Sequence, residues 1–371
     1  MEEITLKIES LASSGAGVGT VSVNGMNRAV FVPYTAPGDL VKARIVKQHK
    51  KYYEAELVEI TEKSKHRIKP VCEHFGVCGA CDWLHIDYKE QVKAKEQMLR
   101  HFFKRNNIEL GDIGIIEAEN KLNYRDKIRV AAAGNYGLYA RKTDKVIPIK
   151  KCYVINEELN KIFSEKPTTR YEKSFAYDYK TKKIVSEGEK AYYYYDDIEL
   201  AYFPEGFAQN NLAMNKYLIK CVVEEAEGKK VLELYAGNGN FTIPLSRNAG
   251  RITAIEGSDK GFELLKYNIG QNNASNIIPV HDDVKKFIRK KGQYDCIILD
   301  PPRTGAGEII NKIANKTNKI IYVSCDAQIL AKEIKGILPE FEIKDIKLID
   351  MFPQTPHFET VITVTRKHKA F

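Results

Sequence analysis

The segment LELYAGNGNF, residues 232–241, decides the fold of the C-terminal half of the chain. Its apolar start is typical of a buried strand, and the turn around Gly237 and Gly239 leads into a helix. Glycines here let the backbone approach a ligand where a side chain would clash. The spacing is not the G-x-G-x-x-G of a dinucleotide-binding turn, and no G-x-x-x-x-G-K-[ST] follows a strand. The segment therefore predicts a ligand site at the end of a strand, without naming the ligand.

Strands and helices alternate on both sides of this turn, from about Gly206 onward. This alternation predicts a doubly wound, Rossmann-like α/β sheet. Two late β segments are close enough in sequence to pair antiparallel at its edge. The strand segments are KVLELYAG, RITAIEG, NIIPV, YDCIILDPP, KIIYVSC, FEIKDIKLIDMF and TVITVTR.

Acidic residues follow three further strands of this predicted sheet. Glu256 ends the second strand, about 20 residues after the turn, where a carboxylate can accept hydrogen bonds from ribose hydroxyls. Asp283, or its neighbour Asp282, lies where an adenine amino group could be recognised, and Asp300 ends the fourth strand. Ligands of open α/β sheets bind in the crevice at the carboxyl ends of the strands. The order of elements resembles the S-adenosylmethionine-dependent methyltransferase fold, and the missing third glycine disfavours an NAD enzyme.

Two residues near the end of the chain form a candidate catalytic pair. Cys325 follows the fifth strand and precedes a helix, whose dipole should lower the thiol pKa and favour the thiolate. Glu359 lies among apolar neighbours just before the last strand, and partial burial would raise the pKa of its carboxyl. A thiolate and a carboxylate suit methylation of a pyrimidine at C5. The other cysteines of this half, Cys221 and Cys296, are interpreted as buried core residues.

The first 65 residues contain five short alternating strands, which predict a small closed barrel. An Asn-Gly pair at residues 24–25 favours a hairpin turn between two of them. Cations interleaved with tyrosines suit a nucleic-acid groove, although a solvated barrel face is an equal alternative. The residues predicted to point outward are Lys42, Arg44, Lys47, Lys50, Lys51, Tyr52 and Tyr53.

Residues 66–204 read as β-rich, with a compact C-x5-C-x2-C motif and one long amphipathic helix over Tyr88–Asn106. The motif places Cys72, Cys78 and Cys81 in one loop. Thiolates suit zinc or an iron–sulfur cluster equally well, and the residues alone slightly favour zinc. The run Tyr192–Tyr195 is interpreted as a half-buried edge strand rather than a base-stacking surface.

Composition limits the class of protein. The 371 residues are 43% hydrophobic and 29% charged, which is typical of a globular chain of two or three domains. No apolar stretch is long enough to span a bilayer, and the acidic, alternating start is unlike a signal peptide. Seven cysteines, an odd number, do not read as a disulfide framework. We therefore expect a cytoplasmic protein without membrane contact, whose formal charge of +9 favours polyanions weakly.

Six motifs occur in one order along the chain: GFAQNN, LELYAGNGNF, AIEG, LDPPRTG, YVSCD and MFPQTPHFETV. Together they resemble the RNA 5-methyluridine (uracil-C5) methyltransferase family, which uses S-adenosylmethionine. The resemblance implies three domains. These are an OB-like TRAM barrel over residues 1–65, a central iron–sulfur domain over 66–204 and a methyltransferase domain over 205–371.

The resemblance also implies roles for individual residues. Cys325 would be the nucleophile and Glu359 the proton acceptor. Contacts to the cofactor or the substrate base would come from Gln209, Tyr235, Asn240, Glu256, Asp283 and Asp300. A 4Fe–4S cluster would be held by Cys72, Cys78, Cys81 and Cys152. The substrate would be tRNA or 23S rRNA, with a monomeric enzyme as the default and no protein partner implied.

Two other functions are compatible with parts of the sequence. D-P-P also suits a methyltransferase acting on a purine amino group, whose chemistry needs no thiolate. A non-catalytic RNA-binding relative could retain the fold, but the intact cysteine and glutamate argue against it. DNA cytosine-C5 methyltransferases place their cysteine after the fourth strand, whereas Cys325 follows the fifth.

Overall fold

A computed structural model describes residues 3–23, 25–167 and 171–367 of the chain. The N-terminal strands close into a barrel in the order β1-β2-β3-β5-β4, which confirms the prediction of five strands. Val23 pairs with Met26 across the predicted hairpin, although Asn24 itself lies outside the described residues. The strands are β1 (Glu3–Leu11), β2 (Gly17–Val23), β3 (Met26–Val32), β4 (Leu40–Gln48) and β5 (Tyr52–Glu62).

The predicted outer face of the barrel is correct only in part. Tyr53 is 6% exposed and packs inside the barrel, because alternate residues of a strand face opposite sides. Tyr52 is half-buried and stacks on His49, with ring centroids 4.2 Å apart. Lys47, Lys50 and Lys51 are exposed as predicted, and Lys42 pairs with Glu59 on the barrel surface.

An eight-stranded sheet forms the C-terminal half, in the order β16-β15-β14-β17-β18-β20-β19-β6. The five strands from β16 to β18 are parallel, whereas β20 runs antiparallel to both β18 and β19. The predicted antiparallel pairing of the two late strands, β19 and β20, is therefore confirmed. The strands are β14 (Lys230–Leu234), β15 (Arg251–Glu256), β16 (Ile277–His281), β17 (Cys296–Leu299), β18 (Lys319–Ser324), β19 (Phe341–Ile349) and β20 (Glu359–Arg366).

Helices cover both faces of this sheet, because alternate residues of its strands enter two different cores. Leu232 of β14 packs in one core and Val231 in the other. Cys221 and Cys296 are buried in the second core, which confirms their interpretation as packing residues. The helices of this half are α2 (Leu212–Glu225), α3 (Thr242–Leu245), α4 (Asp259–Gln271), α5 (Val284–Phe287), α6 (Ile309–Ala314) and α7 (Ala327–Ile337).

The long predicted helix is present as α1 (Tyr88–Arg105), and it packs against α7. Met98, Leu99 and Phe103 bury its apolar face in the core of the C-terminal sheet. Strand β6 (Gly114–Ile116) then joins that sheet as its eighth strand, beside β19. No helix among the described residues is both long and apolar enough to cross a membrane.

The remainder of the middle segment forms a separate five-stranded sheet, in the order β11-β10-β7-β8-β9, with its own core. A 3-10 helix, Glu157–Ser164, packs against it. The range 66–204 thus contributes to three cores, and the predicted domain limits stay a prediction. The strands are β7 (Lys127–Ala133), β8 (Asn135–Tyr139), β9 (Val146–Pro148), β10 (Lys173–Asp178) and β11 (Lys183–Ser186).

The tyrosine run forms β12 (Ala191–Tyr195), which pairs only with β13 (Ile198–Tyr202) among the described residues. Tyr193 is buried, whereas Tyr192 is half-buried and its hydroxyl lies 3.1 Å from that of Tyr267. These tyrosines therefore serve packing, which supports the interpretation as an edge strand.

Candidate active site

Strand register brings the predicted catalytic pair together. Ser324, the last residue of β18, pairs with Thr360 on antiparallel β20. Cys325 follows Ser324 and Glu359 precedes Thr360, so the two residues are neighbours across the strand ends. Both line one large pocket at the carboxyl edge of the parallel strands, together with Asp300.

The thiol of Cys325 is not activated by its surroundings. Burial raises its pKa to about 12, and the charges of Glu359 and Asp300 act in the same direction. Arg303 opposes them, but the N-cap of α7 is Asp326, which adds a further negative charge. The prediction that the helix dipole lowers this pKa is therefore wrong, because burial and carboxylates outweigh the dipole.

Glu359 and Asp300 are carboxyl groups that favour the protonated form. Glu359 is 5% exposed, and burial raises its pKa well above the ordinary value, with the charge of Asp300 adding to the effect. Burial also raises the pKa of Asp300 to about 7. The expectation of a buried glutamate with a raised pKa is confirmed. A carboxyl of this kind can hold or release a proton near neutral pH.

The glycine-rich turn has two glycines with different roles. Gly237 has a φ of +56°, and a Cβ there would meet no atom within 4 Å, so this backbone is open to the pocket. Gly239 has a φ of +90°, and a Cβ would lie 3.0 Å from Ile243 Cγ1. Only Gly237 therefore faces the site, whereas Gly239 permits close packing of α3. Tyr235 also has a left-handed φ of +64°, which is strained for a bulky residue.

Glu256, at the end of β15, is held in place by the turn it faces. Its carboxylate accepts hydrogen bonds from the Gly237 amide at 2.8 Å and from both the amide and the hydroxyl of Ser258 at 2.7 Å. The side chain lines the pocket beside Tyr235. A carboxylate fixed in this way can accept further hydrogen bonds from a bound ribose.

Two polar residues that sequence reasoning missed hold Asn240. The Asn240 Oδ1 accepts from the Tyr193 hydroxyl at 2.7 Å and from the Asn215 amide at 2.8 Å, and Asn240 donates back to Asn215 at 3.0 Å. Tyr193 is an inward-facing residue of the run Tyr192–Tyr195. The alternation of side chains along this strand is the sequence signal that could have identified it. Gln209 is 9% exposed and lines the same pocket.

Asp283 does not line the pocket that holds the other predicted residues. It caps α5 by accepting a hydrogen bond from the Lys286 amide at 3.1 Å, and it borders an adjoining cavity with Tyr235 and Glu256. Asp282 instead pairs with Lys290 at 2.8 Å, and this hydrogen bond lowers the pKa of its carboxyl. Of the two aspartates, Asp283 is the one that borders a cavity shared with site residues.

The loop between β19 and β20 carries Phe352 into the pocket and is fastened to α1. The Gln91 side-chain amide donates a hydrogen bond to Gln354 Oε1 at 2.9 Å. The backbone amide of Gln354 donates to Gln91 Oε1, also at 2.9 Å. The ammonium of Lys95 pairs with Asp350 at 2.6 Å, and both side chains are fully buried. Sequence reasoning did not identify these residues, because their partners are some 260 positions away in the chain.

The four predicted cluster cysteines line one small cavity, beside apolar side chains such as Phe75 and Leu138. All four are free thiols, and burial raises the pKa of Cys78 and Cys152 and raises that of Cys81 to about 12. Within the described part of the chain, no three His, Cys, Asp or Glu side chains are arranged to hold a metal ion. The donor set suits iron and zinc, but its geometry is not that of a closed single-ion site.

A sheet with this strand order, and with acidic residues around a glycine turn at the carboxyl edge of its parallel strands, is typical of S-adenosylmethionine-dependent methyltransferases. Residues 169–367 match the family described as tRNA (Uracil-5-)-methyltransferase, and residues 1–58 match the TRAM domain. The chain therefore belongs to the S-adenosylmethionine-dependent RNA uracil-5-methyltransferase family.

Individual relatives agree with this placement. An uncharacterized RNA methyltransferase of Bdellovibrio bacteriovorus is 33% identical, over 97% of this chain and 94% of its own. A 23S rRNA (uracil(1939)-C(5))-methyltransferase of Shewanella halifaxensis is 26% identical, over 97% and 95%. The crystal structure of the Pyrococcus abyssi tRNA (uracil-54, C5)-methyltransferase with S-adenosyl-L-homocysteine has a TM-score of 0.78. It is 20% identical and covers 98% of this chain and 100% of its own, so it supports the fold.

Proposed function

We propose that this enzyme transfers a methyl group from S-adenosylmethionine to C5 of a uridine in RNA, through a covalent bond between Cys325 and C6 of the uracil. The observation that carries the proposal is the position of Cys325 and Glu359, which strand register makes neighbours in one pocket with Glu256. The uracil would be flipped into this pocket, since its C6 is inaccessible within a stack.

The chemistry assigns one task to each residue of the pair. The Cys325 thiol loses its proton to solvent and adds to C6 as the thiolate, so that the electrons of the C5–C6 double bond make C5 nucleophilic. S-adenosylmethionine supplies the methyl group as an electrophilic sulfonium, which C5 attacks, and S-adenosyl-L-homocysteine leaves. The ionised carboxylate of Glu359 then removes the proton from C5, the double bond re-forms and the thiolate leaves. A raised pKa makes this carboxylate a stronger base, which suits the proton removal.

The remaining pocket residues are proposed to bind the cofactor or the base. Glu256 would accept hydrogen bonds from the ribose hydroxyls, and the open Gly237 backbone would lie against the cofactor. Asp283, from its adjoining cavity, would face the adenine. Contacts to the cofactor or to the uracil are assigned to four residues that line the pocket with Gly237: Gln209, Tyr235, Asn240 and Asp300.

Substitution of the nucleophile tests the covalent step. We expect Cys325→Ala to abolish methyl transfer to RNA while the protein still binds S-adenosylmethionine, measured by equilibrium dialysis. Cys221→Ser is the matched control, because Cys221 is buried in a core away from the pocket, and it should retain activity. Methyl transfer by Cys325→Ala would contradict the nucleophile assignment.

Substitution of the base should stop the reaction one step later. In Glu359→Gln, methylation of C5 can proceed but the C5 proton stays, so the RNA should remain bonded to Cys325. A denaturing gel would then contain a slowly migrating RNA–protein band. Normal turnover without this band would mean that another group removes the proton.

The products distinguish the two other candidate functions. N-methylated purines from Cys325→Ala would favour transfer to an exocyclic amino group. RNA binding with no methyl transfer to any unmodified RNA pool would favour a non-catalytic relative. The pairing of Cys325 with Glu359 in one pocket favours the uracil reaction over both.

The RNA substrate can be identified by mapping. Relatives named for 23S rRNA and a structural neighbour named for tRNA make both RNAs candidates. A strain lacking this gene should lose 5-methyluridine at one position of its total RNA, and restoring the gene should restore it. The lost position would identify the substrate, and an unchanged map would contradict the proposed reaction.

We further infer that Cys72, Cys78, Cys81 and Cys152 hold a 4Fe–4S cluster within a central domain over residues 66–204. A zinc ion would need its sulfur ligands around one atom at about 2.3 Å. The proposal is supported by the position of all four thiols around one cavity, where each thiolate would bind a different iron atom of the cluster. The cluster would have a structural or RNA-docking role.

A further inference from the structure

A second cavity lies between the cysteine cavity and the catalytic pocket. It shares Gly206 and Asn210 with the catalytic pocket, and Cys152 and Val154 with the cysteine cavity. None of the residues assigned to the methyl-transfer chemistry lines it. It therefore adjoins the pocket into which the uridine would flip.

Three cations line this cavity from alternate positions of one stretch of chain: Arg125, Lys127 and Arg129. Alternate residues of a strand face the same side and stand about 6.8 Å apart. The sequence RDKIR thus presents a row of positive charges to one recess. Such a row matches the repeated negative charges of a nucleic-acid backbone.

Acidic side chains compensate these cations only partly. Glu205 also lines the cavity, but its carboxylate pairs with Lys260 at 2.9 Å. Glu172 lies 3.5 Å from Arg129 in a pair exposed on both sides, which binds weakly. Burial, with the charge of Arg129, lowers the pKa of Lys127 to about 8, so its ammonium is still charged at pH 7.

Asn210, which lines both this cavity and the catalytic pocket, has an acceptor with no partner in the described part of the chain. The Oδ1 atom of Asn210 is buried and has no hydrogen-bond partner among the described residues. A buried amide oxygen left unpaired is costly, and a ligand hydroxyl would satisfy it. The 2′-hydroxyl is the group that distinguishes RNA from DNA.

Backbone contacts connect this cavity with the catalytic pocket. The Lys127 ammonium donates to the Gly206 carbonyl at 2.7 Å, and the Asp126 amide donates to the Asn210 carbonyl at 2.8 Å. Gln209, which lines the catalytic pocket, lies between these two anchor points. A ligand bound by the cations is therefore held at a fixed distance from the pocket.

We propose that this cavity binds the ribose–phosphate of a nucleotide adjacent to the methylated uridine, with Arg125, Lys127 and Arg129 on the phosphate and Asn210 on the 2′-hydroxyl. The proposal rests on the proposed function, since it requires an RNA with its target base in the pocket. The subsite recognises the RNA backbone rather than the base sequence, and its contact with the 2′-hydroxyl selects RNA over DNA.

A chemically modified RNA tests the phosphate contact. The probe is a nine-nucleotide RNA with one central uridine, and its affinity is measured by fluorescence anisotropy with S-adenosyl-L-homocysteine present. A neutral methylphosphonate replaces each phosphate in turn. At one position next to the uridine, we expect the methylphosphonate to weaken RNA binding by the wild-type enzyme. The same replacement should have little further effect on binding by Arg129→Gln. Arg129→Gln should also lower the slope of log affinity against log salt by about one.

The hydroxyl contact is tested in the same way. A 2′-deoxy sugar at the same nucleotide should weaken binding about fivefold in wild type, and should have no further effect in Asn210→Ala. Arg251→Gln is the matched control, because Arg251 begins β15 at the amino edge of the sheet, opposite the pocket. It should respond to both modifications as wild type does.

The outcomes separate this proposal from the proposed function. A central 5-fluorouridine should trap wild type covalently, which reports the chemistry independently of the subsite. If wild type is trapped, but the methylphosphonate weakens RNA binding equally in wild type and Arg129→Gln, the subsite proposal is overturned and the proposed function is not. An RNA that neither binds nor is trapped would overturn both. Competition by inorganic phosphate with no effect of either RNA modification would identify a free-anion site and also overturn the subsite.

Discussion

Two sets of thiols lie at candidate sites: Cys325 at the edge of the large sheet, and the four thiols of the cysteine cavity. Burial raises the pKa of Cys325 to about 12 in the first set, and that of Cys81 to about 12 in the second. Their charged neighbours differ. Cys325 faces the carboxylates of Glu359 and Asp300, whereas the charge of Arg125 lowers the pKa of Cys81.

The difference indicates what each set requires to act. A buried thiol becomes a thiolate only when positive charge compensates the loss of solvation. Arg125 lies near the thiols of the cysteine cavity, and Arg303 opposes the carboxyl groups around Cys325. Under the proposed function, iron and the sulfonium of the methyl donor would add positive charge at the two sites. Low reactivity in the free enzyme would protect Cys325 from alkylation and oxidation.

The largest expected effect is a change in metal content, which should depend on the thiols of the cysteine cavity and not on Cys325. Cys81→Ser should lose bound iron and sulfide after anaerobic purification, because a cluster needs all four thiolates. Cys325→Ser should retain both, and Cys221→Ser provides a buried control. Iron and sulfide are measured chemically for each variant. A colourless wild type with one zinc ion per chain would replace the cluster assignment.

A second prediction concerns the pH dependence of Cys325. Its pKa of about 12 lies above the ordinary value, so the thiolate fraction rises throughout the neutral and alkaline range. Alkylation by iodoacetamide should therefore increase about tenfold per pH unit from about pH 7 to 10. Peptide mass spectrometry measures the rate at this residue.

Bound methyl donor and its demethylated product provide a further test of the Cys325 pKa. S-adenosylmethionine should raise the thiolate fraction of Cys325 at a given pH, while S-adenosyl-L-homocysteine, which has nearly the same shape but a neutral sulfur, should not. Comparing the two separates the effect of charge from steric shielding. A plateau near neutral pH in the free enzyme would contradict the raised pKa.

A third prediction tests the helix that joins the two regions. Lys95→Met leaves Asp350 buried without its partner, and we expect a loss of about 3–5 kcal/mol in the free energy of unfolding. Lys104, exposed on the same helix, is the control, and Lys104→Met should change stability little. The double variant Lys95→Met with Asp350→Leu should recover much of the loss. Denaturant unfolding measures all four proteins.

The smallest effect concerns the cap beside the catalytic thiol. The Asp326 carboxylate accepts hydrogen bonds from the Gln328 and Ile329 amides, both at 3.1 Å. Asp326→Ala should therefore cost about 1 kcal/mol of stability. Asp326→Asn retains a capping acceptor but removes a charge that raises the pKa of Cys325, so it should increase alkylation with little loss of stability. Equal stability of the two variants would contradict the capping role.

Much of the fold could be predicted because its signals are local. The five barrel strands, α1 and the alternating elements of the sheet follow from the periodicity of apolar residues. Strand β6 was not predictable, because three residues carry no period and its partner β19 lies more than 200 positions further along the chain. Tyr53 was predicted to face outward, and only the barrel register places it inside.

The sequence by itself determined which residues are proposed to carry the chemistry, since the order of motifs around Cys325, Glu256 and Glu359 can be read along the chain without coordinates. The tertiary structure alone decided how these residues behave. It made Cys325 and Glu359 neighbours through strand register, reversed the expected pKa shift of the thiol, and set Asp283 as a helix cap. The physical reason is that desolvation and pairwise charge depend on distance in space, which spacing along the chain does not encode.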